Sequence, residues 1–347
     1  MIIRFPLCLV ILASCVSAQA ATFDLPPPGE DLIGRVAIAK VREGDTFPVI
    51  ARRHNLGYRE IALANPQLDP FIPEVGSDIV IPMQFVLPPG PRRGIVINLT
   101  EMRLYYYPPE DSAQTGVVLT FPLGVGREGW STPVANTRVT GKKANPTWTP
   151  PASIRREHAE KGDPLPRVVQ PGPDNPLGNH AIYLGLPAYL LHGTNKPDGI
   201  GLKVSHGCIR LFPEDIEQLF DLVDAGTPVR IIEAPYKAGW QDGALYVEAH
   251  PPDGDGRDAV VSFTPMVELL VAATRDHPDF PIDWDEAEQI MANQSGLPVR
   301  VGQMPKTDAP NDAAQSPSSD RGTDEKGDEQ TREQPRAGFF GRLFGRD

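Results

Sequence analysis

The chain has 347 residues, which exceeds one typical domain, and its hydrophobic fraction of 40% is enough for a real core. Its formal net charge is -12 and no basic face stands out, which argues against nucleic acid as a partner. Aromatic residues make up 7% of the chain, and 39 prolines accompany 32 glycines, which favours strands and loops over a helical bundle.

The N-terminus has the pattern of an export signal over residues 1–20. Arg4 precedes a short apolar run, and the letters AQA, ending at Ala20, form the small-x-small pattern of a cleavage site, so we predict cleavage near Ala20. The letters LASC, ending at Cys15, also fit a lipoprotein site that would leave a lipidated cysteine. The run is too short to span a bilayer, and no other segment is long and apolar enough, so no transmembrane segment is predicted.

Residues 36–83 carry the signals of one small βααβ module. The letters VREGDT predict a strand and a turn, with Asp45 or Thr46 placed to cap a helix. A second helix is predicted from Tyr58 to the letters ANP, and GSDIVIP predicts a closing strand. Residues 84–93 are rich in proline and are predicted to be a linker.

Residues 94–234 change to strand patterns separated by glycine and proline turns, which predicts a mainly β catalytic domain. The letters GIVINLTEMRLYYYP predict two strands that turn at Thr100 and Glu101. The stretch GPDNPLGN is predicted to be a loop, and long loops in compact domains are often lids or binding loops. One clear amphipathic helix is predicted to begin near Pro213.

Two further segments follow. Residues 235–303 predict a small α+β subdomain with two amphipathic helices and no evident chemistry. Residues 304–347 are polar and acid-rich and are predicted to be a disordered tail. The tail ends in GFFGRLFGRD, for which we expect simple solvent exposure, with contact to a membrane or a partner as the alternative.

Cys208 is the single cysteine left once the predicted signal is removed, so an internal disulfide is excluded. An unpaired thiol in an exported protein is exposed to oxidation. Its neighbours favour a nucleophile over a buried inert cysteine. His192 ends one predicted strand and Cys208 lies in the passage to another, so two adjacent strands would bring the base to the thiol.

The residues around this pair supply the remaining parts of an acyl-transfer site. Gly207 permits an unusual backbone turn, and its amide with the next one would form an oxyanion hole. Gly193 or Thr194 would offer a carbonyl that fixes the tautomer of His192. Arg210 is a fork-shaped donor suited to a substrate carboxylate.

Zinc is the competing interpretation of the same residues. His192, His206 and Cys208 could supply three ligands, but no second Cys/His cluster and no CxxC or HExxH spacing accompanies them. We therefore predict no metal and no cofactor.

The letters HGT followed by SHGCIRL resemble the signature of the YkuD-type L,D-transpeptidases of Gram-negative bacteria, and EMRLYYYP, PTWTPP and GPDNPLG fit the same catalytic domain. The landmarks GDT, ANP and the later IP resemble a LysM module, which implies binding to N-acetylglucosamine-containing glycans; packing on a neighbour without glycan affinity is the alternative. The resemblance covers about residues 38–301 and implies a β-sandwich-like catalytic domain.

The resemblance also implies a periplasmic enzyme that acts on peptidoglycan tetrapeptide stems. Cys208 would attack the carbonyl of the third stem residue and expel the terminal D-alanine, with His192 as the proton shuttle. The thioester would pass to an amine of another stem, giving a 3-3 cross-link, or to a lysine of an outer-membrane lipoprotein. Transfer to water would give an L,D-carboxypeptidase, and a non-catalytic LysM wall-binding protein is the alternative from another class.

Three further residues have predicted supporting roles. Ser205 is expected to orient the loop that carries the thiol. His206 is expected either to support the site from behind or to be a hydrogen-bonded structural histidine. Trp148 is expected either to line the cleft or to belong to the core.

Overall fold

The structure is a computed structural model that describes residues 20–127, 129–205, 207–251 and 262–305. The predicted signal, apart from Ala20, and the predicted tail from residue 306 onward lie outside the described residues, as does His206. Within the described ranges, no helix is long and apolar enough to cross a membrane.

The described residues form a mainly β structure with sixteen strands and six α-helices, which confirms the predicted fold class. The strands are β1 (Ala21–Asp24), β2 (Leu32–Lys40), β3 (Asp78–Val86), β4 (Gly94–Asn98), β5 (Arg103–Tyr107), β6 (Val117–Pro122), β7 (Val125–Gly126), β8 (Ala135–Ala144), β9 (His180–Leu184), β10 (Leu190–His192), β11 (Lys203–Ser205), β12 (Ile209–Arg210), β13 (Pro228–Ile232), β14 (Tyr236–Gln241), β15 (Ala244–Ala249) and β16 (Val299–Gln303). The helices are α1 (Phe47–Arg53), α2 (Tyr58–Ala64), α3 (Ala152–Glu160), α4 (Pro213–Leu222), α5 (Thr264–Ala273) and α6 (Trp284–Asn293).

The βααβ module is built on one antiparallel strand pair. β2 and β3 pair along their whole length, from Leu32 opposite Val86 to Lys40 opposite Asp78, and α1 and α2 lie between them in the chain. β3 runs on to Val86, into the segment for which the sequence predicts a linker.

A single side chain sets the start of α1. The Thr46 hydroxyl accepts the amide of Val49, which satisfies one of the free donors of the first turn. Asp45 has a different role, because its carboxylate accepts the amide of Arg42 and pairs with Arg53.

The predicted catalytic region is built on one curled nine-stranded sheet with the order β1-β6-β5-β4-β13-β8-β9-β10-β12. Two neighbouring pairs are parallel, β4 with β13 and β10 with β12. The edge strand β1 pairs antiparallel with β6, although the sequence analysis predicts no strand at Ala21–Asp24. Four residues followed by a run of prolines are too short to show a strand period, so only the pairing partner reveals the strand.

Both faces of this sheet are covered. On one face Ile97 and Ile182 pack with Ile216 and Leu219 of α4. On the other face, a second core cluster joins sheet residues to the βααβ module, namely Val96, Tyr105, Val118, Phe47, Ile50, Leu56 and Ile61. The module therefore shares a hydrophobic core with the catalytic sheet.

A buried ion pair crosses the same contact. The guanidinium of Arg103 in β5 donates to both carboxylate oxygens of Glu60 in α2, at 2.8 and 3.0 Å, and also to the hydroxyl of Thr120 and the carbonyl of Asn55. The Arg103 side chain is 0% exposed. A buried charge of this kind is tolerated because every donor nitrogen finds an acceptor.

The C-terminal subdomain is a three-stranded sheet, β14-β15-β16, with α5 and α6 against it and its own core around Leu245, Met266 and Leu270. Lys237 in β14 carries a buried ammonium that contacts Glu101 of the catalytic region and lies 2.8 Å from Glu248 in β15. Glu248 also accepts the amide of Val86 at the end of β3. One charged cluster thus joins all three parts of the chain.

Candidate active site

The two strands that carry the candidate pair are neighbours, as the sequence predicts. β10 and β12 pair in parallel, with Leu191 opposite Ile209 and His192 opposite Arg210. Cys208 immediately precedes β12, so the thiol lies at the beginning of one strand and the imidazole at the end of its neighbour. Continued by one residue, this register places Cys208 beside Leu190, whose backbone hydrogen-bonds to the thiol, two positions before His192 on the neighbouring strand.

The tautomer of His192 is fixed by the backbone. The Nδ1 of its imidazole lies 2.6 Å from the carbonyl oxygen of Gly193. Because a carbonyl only accepts, Nδ1 carries the hydrogen and Nε2 has the free lone pair of a base. Of the two residues that the sequence proposes for this task, Gly193 performs it, while the Thr194 hydroxyl accepts the amide of Lys196.

The pair is neutral at physiological pH. Burial, with a further contribution from nearby Arg210, lowers the pKa of His192 to about 3, although the carbonyls of Gly193 and Leu177 oppose the shift. Burial raises the pKa of the Cys208 thiol above its ordinary value, and the Leu190 backbone and Arg210 offset only part of that rise. The free site therefore holds a thiol and a neutral imidazole, not a thiolate and an imidazolium.

A hairpin between β9 and β10 flanks the thiol. The Cys208 sulfur lies 3.5 Å from the carbonyl oxygen of Ala188, to which its S–H donates. Ala188 has a φ of 69°, in the left-handed region that non-glycine residues seldom adopt. Strained backbone of this kind concentrates at functional sites.

The loop before Cys208 is held by several hydrogen bonds. The Ser205 hydroxyl donates to the Cys208 carbonyl and accepts the Gly207 amide at 3.2 Å. Gly207 has a φ of 99°, and a Cβ there would lie 3.2 Å from the ring of Tyr189. Glycine is needed at this position both for the backbone angle and for the close approach.

Comparison with known proteins adds an independent line of support. Residues 92–231 match the YkuD family, described as the L,D-transpeptidase catalytic domain, and residues 39–82 match the LysM domain. The probable L,D-transpeptidase YbiS of Escherichia coli strain K12 is 40% identical over 308 residues, which cover 86% of this chain and 97% of the relative. The chain belongs to the L,D-transpeptidase family.

A second relative agrees with this assignment. The probable L,D-transpeptidase YcfS of Escherichia coli strain K12 is 42% identical over 297 residues, covering 84% of this chain and 91% of the relative. Among solved structures, L,D-transpeptidase 3 from Mycobacterium tuberculosis matches with a TM-score of 0.29 and 23% identity, covering 45% of this chain and 67% of that one. The two family matches and the two Escherichia coli relatives show that this chain is a peptidoglycan transpeptidase with a LysM module.

The sequence analysis missed residues of the transpeptidase that hold the loop before Cys208 from outside the motif. The Thr132 hydroxyl donates to the Gly207 carbonyl at 2.8 Å. The Tyr189 hydroxyl lies 3.4 Å from the carbonyl of Ser131, so its ring is held over Gly207. No sequence pattern marks Thr132 or Tyr189, because their importance comes from contacts with distant parts of the chain.

The predicted loop GPDNPLGN supports the HGT segment from behind. Asn175 is fully buried, and its amide donates to the carbonyl of Pro146 at 2.8 Å while its oxygen accepts the amide of Leu177. Gly178 has a φ of 66°, and a Cβ there would lie 2.9 Å from the nitrogen of Thr194. The loop thus fits against the backbone that orients His192.

Arg210 and Trp148 have different surroundings. Arg210 is half-buried opposite His192, and among the described residues its Nε is buried without a hydrogen-bond partner. Trp148 pairs with Val169 through two backbone hydrogen bonds of 2.9 and 2.8 Å, inside the long connection between β8 and β9. The role of Trp148 in lining the cleft stays a prediction.

The same connection contains a helix that the sequence analysis did not identify. α3 has a single buried residue, Ile154, so it lacks the apolar stripe by which a helix is recognised. Arg127, which follows β7, donates to Glu157 of α3 at 2.6 Å, and the amide of Arg127 donates to the carbonyl of Ser205. The helix is thereby joined to the segment next to the loop that carries Cys208.

A group of possible metal-binding side chains lies elsewhere in the described part of the chain. Ligand atoms of Glu101, Glu248 and His250 lie within 4.8 Å of one another and are buried. The ammonium of Lys237 contacts both carboxylates, so this cluster already contains a cation. Burial raises the pKa of Glu101 to about 7, against the effect of the ammonium.

Proposed function

We propose that this transpeptidase uses Cys208 as its nucleophile and His192 as its proton shuttle, on peptidoglycan tetrapeptide stems. The observation that carries the proposal is the parallel pairing of β10 with β12, together with the Gly193 carbonyl that leaves Nε2 of His192 free as a base. Membership of the L,D-transpeptidase family supports the substrate class.

In the first step the Cys208 sulfur attacks the carbonyl carbon of the third stem residue. The S–C bond forms, the C–N bond to the terminal D-alanine breaks, and the thiol proton moves through His192 to the leaving amine. Because both groups are neutral at rest, proton transfer accompanies the attack and no thiolate is formed in advance.

In the second step an acceptor amine attacks the thioester carbonyl. A C–N bond forms, the C–S bond breaks, and a proton of the amine returns through His192 to the sulfur. The acceptor is the side-chain amine of another stem, giving a 3-3 cross-link, or the lysine of an outer-membrane lipoprotein. Water in place of the amine gives hydrolysis.

We assign the stabilisation of the oxyanion in both steps to backbone amides of the nucleophile loop. The Gly207 amide already donates to Ser205, so it must turn from the serine before it contributes. The Cys208 amide follows the Gly207 turn and is the first candidate donor. Arg210, with its unpaired Nε, is assigned to a substrate carboxylate.

The proposed location is the periplasm. The support is the export-signal pattern of residues 1–20 and the likeness to enzymes of Escherichia coli, whose cell wall lies in that compartment. The LysM module is proposed to bind the glycan of the same wall.

The direct test is an intact-mass measurement on the protein from Ala21 onward, incubated with a disaccharide-tetrapeptide. We expect a covalent adduct of the substrate minus D-alanine, absent in Cys208→Ala and formed more slowly in His192→Gln. His158→Gln is the matched control, since this half-buried histidine lies in α3 and pairs with Asp163. An adduct in Cys208→Ala would refute the assigned nucleophile.

The acceptor is tested in the host. Deleting the gene and analysing the muropeptides distinguishes the two amines. Loss of 3-3 dimers identifies the cross-linking reaction, and loss of lipoprotein remnants identifies the anchoring reaction. If free tripeptide stems disappear instead, hydrolysis is the activity.

A further inference from the structure

The peptide unit between Gly207 and Cys208 contains the amide that the proposed function assigns to the oxyanion. Its carbonyl belongs to Gly207 and its N–H belongs to Cys208, so a hydrogen bond to the carbonyl acts on the N–H as well. The Thr132 hydroxyl donates to that carbonyl at 2.8 Å, from 75 residues away in the chain. Thr132 therefore contacts the same peptide group that supplies the candidate oxyanion donor.

The direction of the Cys208 N–H follows from this hydrogen bond. The peptide bond between Gly207 and Cys208 is trans, and in a trans peptide the carbonyl and the N–H point to opposite sides. Gly207 has a φ of 99° and no Cβ, so its own backbone permits more than one orientation of the peptide unit that follows it. The bond from Thr132 selects one orientation, and a rotation that broke this bond would turn the N–H with it.

The two neighbouring peptide units are held from inside the loop. The Ser205 hydroxyl accepts the Gly207 amide at 3.2 Å and donates to the Cys208 carbonyl. These two hydrogen bonds act on the unit before Gly207 and on the unit after Cys208. The unit between them is held by Thr132, so serine and threonine act on different parts of the same loop.

Thr132 is itself held in place. Its side chain is 5% exposed, and a buried β-branched side chain has few rotamers. Thr132 belongs to the connection between β7 and β8, where the amide of Arg127 donates to the carbonyl of Ser205 at 2.9 Å. In the same region a Cβ on Gly126 would lie 3.0 Å from the Cα of Gly207. The donor hydroxyl is thus fixed against the nucleophile loop.

The same hydrogen bond also changes the strength of the N–H as a donor. A donor on the carbonyl polarises the peptide group and increases the positive charge on its N–H, and this effect is larger away from water. An N–H that is both oriented and polarised stabilises negative charge that develops in the transition state. A hydroxyl that only satisfied a buried carbonyl would affect stability, without selecting one kind of reaction.

We propose that Thr132 is a positioning residue for the oxyanion: its hydroxyl holds the Gly207–Cys208 peptide unit so that the Cys208 N–H points at the developing negative charge. The inference rests on the proposed function and adds a residue outside the sequence motif to it. Thr132 acts in both steps, because the substrate carbonyl becomes an oxyanion in acylation and again in transfer to the acceptor amine.

The test compares two reactions of Cys208 in Thr132→Val, made in the protein from Ala21 onward. Valine has nearly the shape of threonine and lacks the donor. Acylation by a disaccharide-tetrapeptide forms an oxyanion, whereas alkylation by iodoacetamide displaces iodide at a saturated carbon and forms none. We expect the acylation rate at saturating substrate to fall about 10- to 100-fold and the alkylation rate to stay within about twofold of wild type.

Two further variants serve as controls. Thr132→Ser restores a hydroxyl and should return the acylation rate to within about threefold of wild type. Thr140→Val is the matched control, because the Thr140 hydroxyl also donates to a backbone carbonyl, that of Tyr183 at 3.2 Å, on the exposed part of β8. It should leave acylation and alkylation unchanged.

A substrate with sulfur in place of the carbonyl oxygen of the third stem residue gives a second measurement. Sulfur accepts hydrogen bonds more weakly than oxygen, so wild type should be acylated more slowly by this substrate. In Thr132→Val the change from oxygen to sulfur should cost less, because the oxyanion donor is already misdirected. Equal costs in the two proteins would overturn the inference.

The outcomes separate the two proposals. If wild-type Cys208 is not acylated, the proposed function fails. If wild type is acylated and Thr132→Val keeps its rate, the positioning role is refuted while the function stands. If acylation and alkylation fall by the same factor, Thr132 only supports the fold of the loop, which also overturns the inference. Thr132→Ala provides the same comparison if Thr132→Val folds poorly.

Discussion

Replacing Gly178 by alanine tests how strictly the HGT segment must be placed. The added Cβ would lie 2.9 Å from the nitrogen of Thr194 and 3.0 Å from the carbonyl carbon of Gly193. Carbon contacts prefer about 3.5–4.0 Å, so the backbone must move by roughly 0.5 Å or more. The Gly193 carbonyl holds Nδ1 of His192, and the movement therefore displaces the proposed base.

The expected loss of activity is large relative to the loss of stability. A misplacement of this size in a catalytic group costs about 10- to 100-fold in rate. Unfolding free energy should fall by about 2–4 kcal/mol, from the left-handed φ of 66° together with overpacking. Acylation of Cys208 is followed by intact mass, and stability by urea unfolding.

Gly162→Ala is the matched control. Gly162 lies in the same connection with a φ of 78°, but a Cβ there meets nothing within 4 Å. It should lose about 1–2 kcal/mol and keep its acylation rate. Equal acylation rates in Gly178→Ala and Gly162→Ala would refute the argument that this loop orients His192.

Three further predictions concern charge. The rate of Cys208 alkylation by iodoacetamide should rise from about pH 7 to above pH 9, because burial raises the pKa of the thiol. A rate that already reaches a plateau below about pH 7 would indicate a preformed thiolate and contradict this. Lys237→Met should lower the free energy of urea unfolding by about 3–5 kcal/mol, because it leaves the buried carboxylates of Glu101 and Glu248 facing each other. Lys40→Met removes a surface pair and should cost less than about 1 kcal/mol. Similar losses in both variants would contradict the buried pairing. Burial raises the pKa of Asp215 to about 8, so the protonated carboxyl contributes stability that is complete below about pH 4 and is lost as the pH rises to about 8. Asp215→Asn should therefore gain stability relative to wild type between about pH 5 and pH 8. A difference in the free energy of urea unfolding that stays constant over this range would refute the prediction.

The sequence by itself predicted the features that short segments encode. The HGT and SHGCIRL letters identified the family and the two candidate catalytic residues, and the LysM landmarks identified the βααβ module. α4 was predicted because its apolar residues recur at helical spacing, and it begins at Pro213 as expected. Such patterns are local, so they can be recognised without knowing what each segment packs against.

Only the tertiary structure decided the features that depend on residues far apart in the chain. β1 becomes visible as a strand through its pairing with β6, and the amide of Ala20 donates to Gln218, 198 residues away. The choice of Gly193 over Thr194, and the close fit of Gly178 against both, follow from how two loops pack. The LysM module is joined to the chain before Cys208 by the amide of Tyr58, which donates to the carbonyl of Ile200, and to the chain after it by the pair of Arg52 with Glu214. Contacts of this kind between distant segments leave no periodic trace in the sequence.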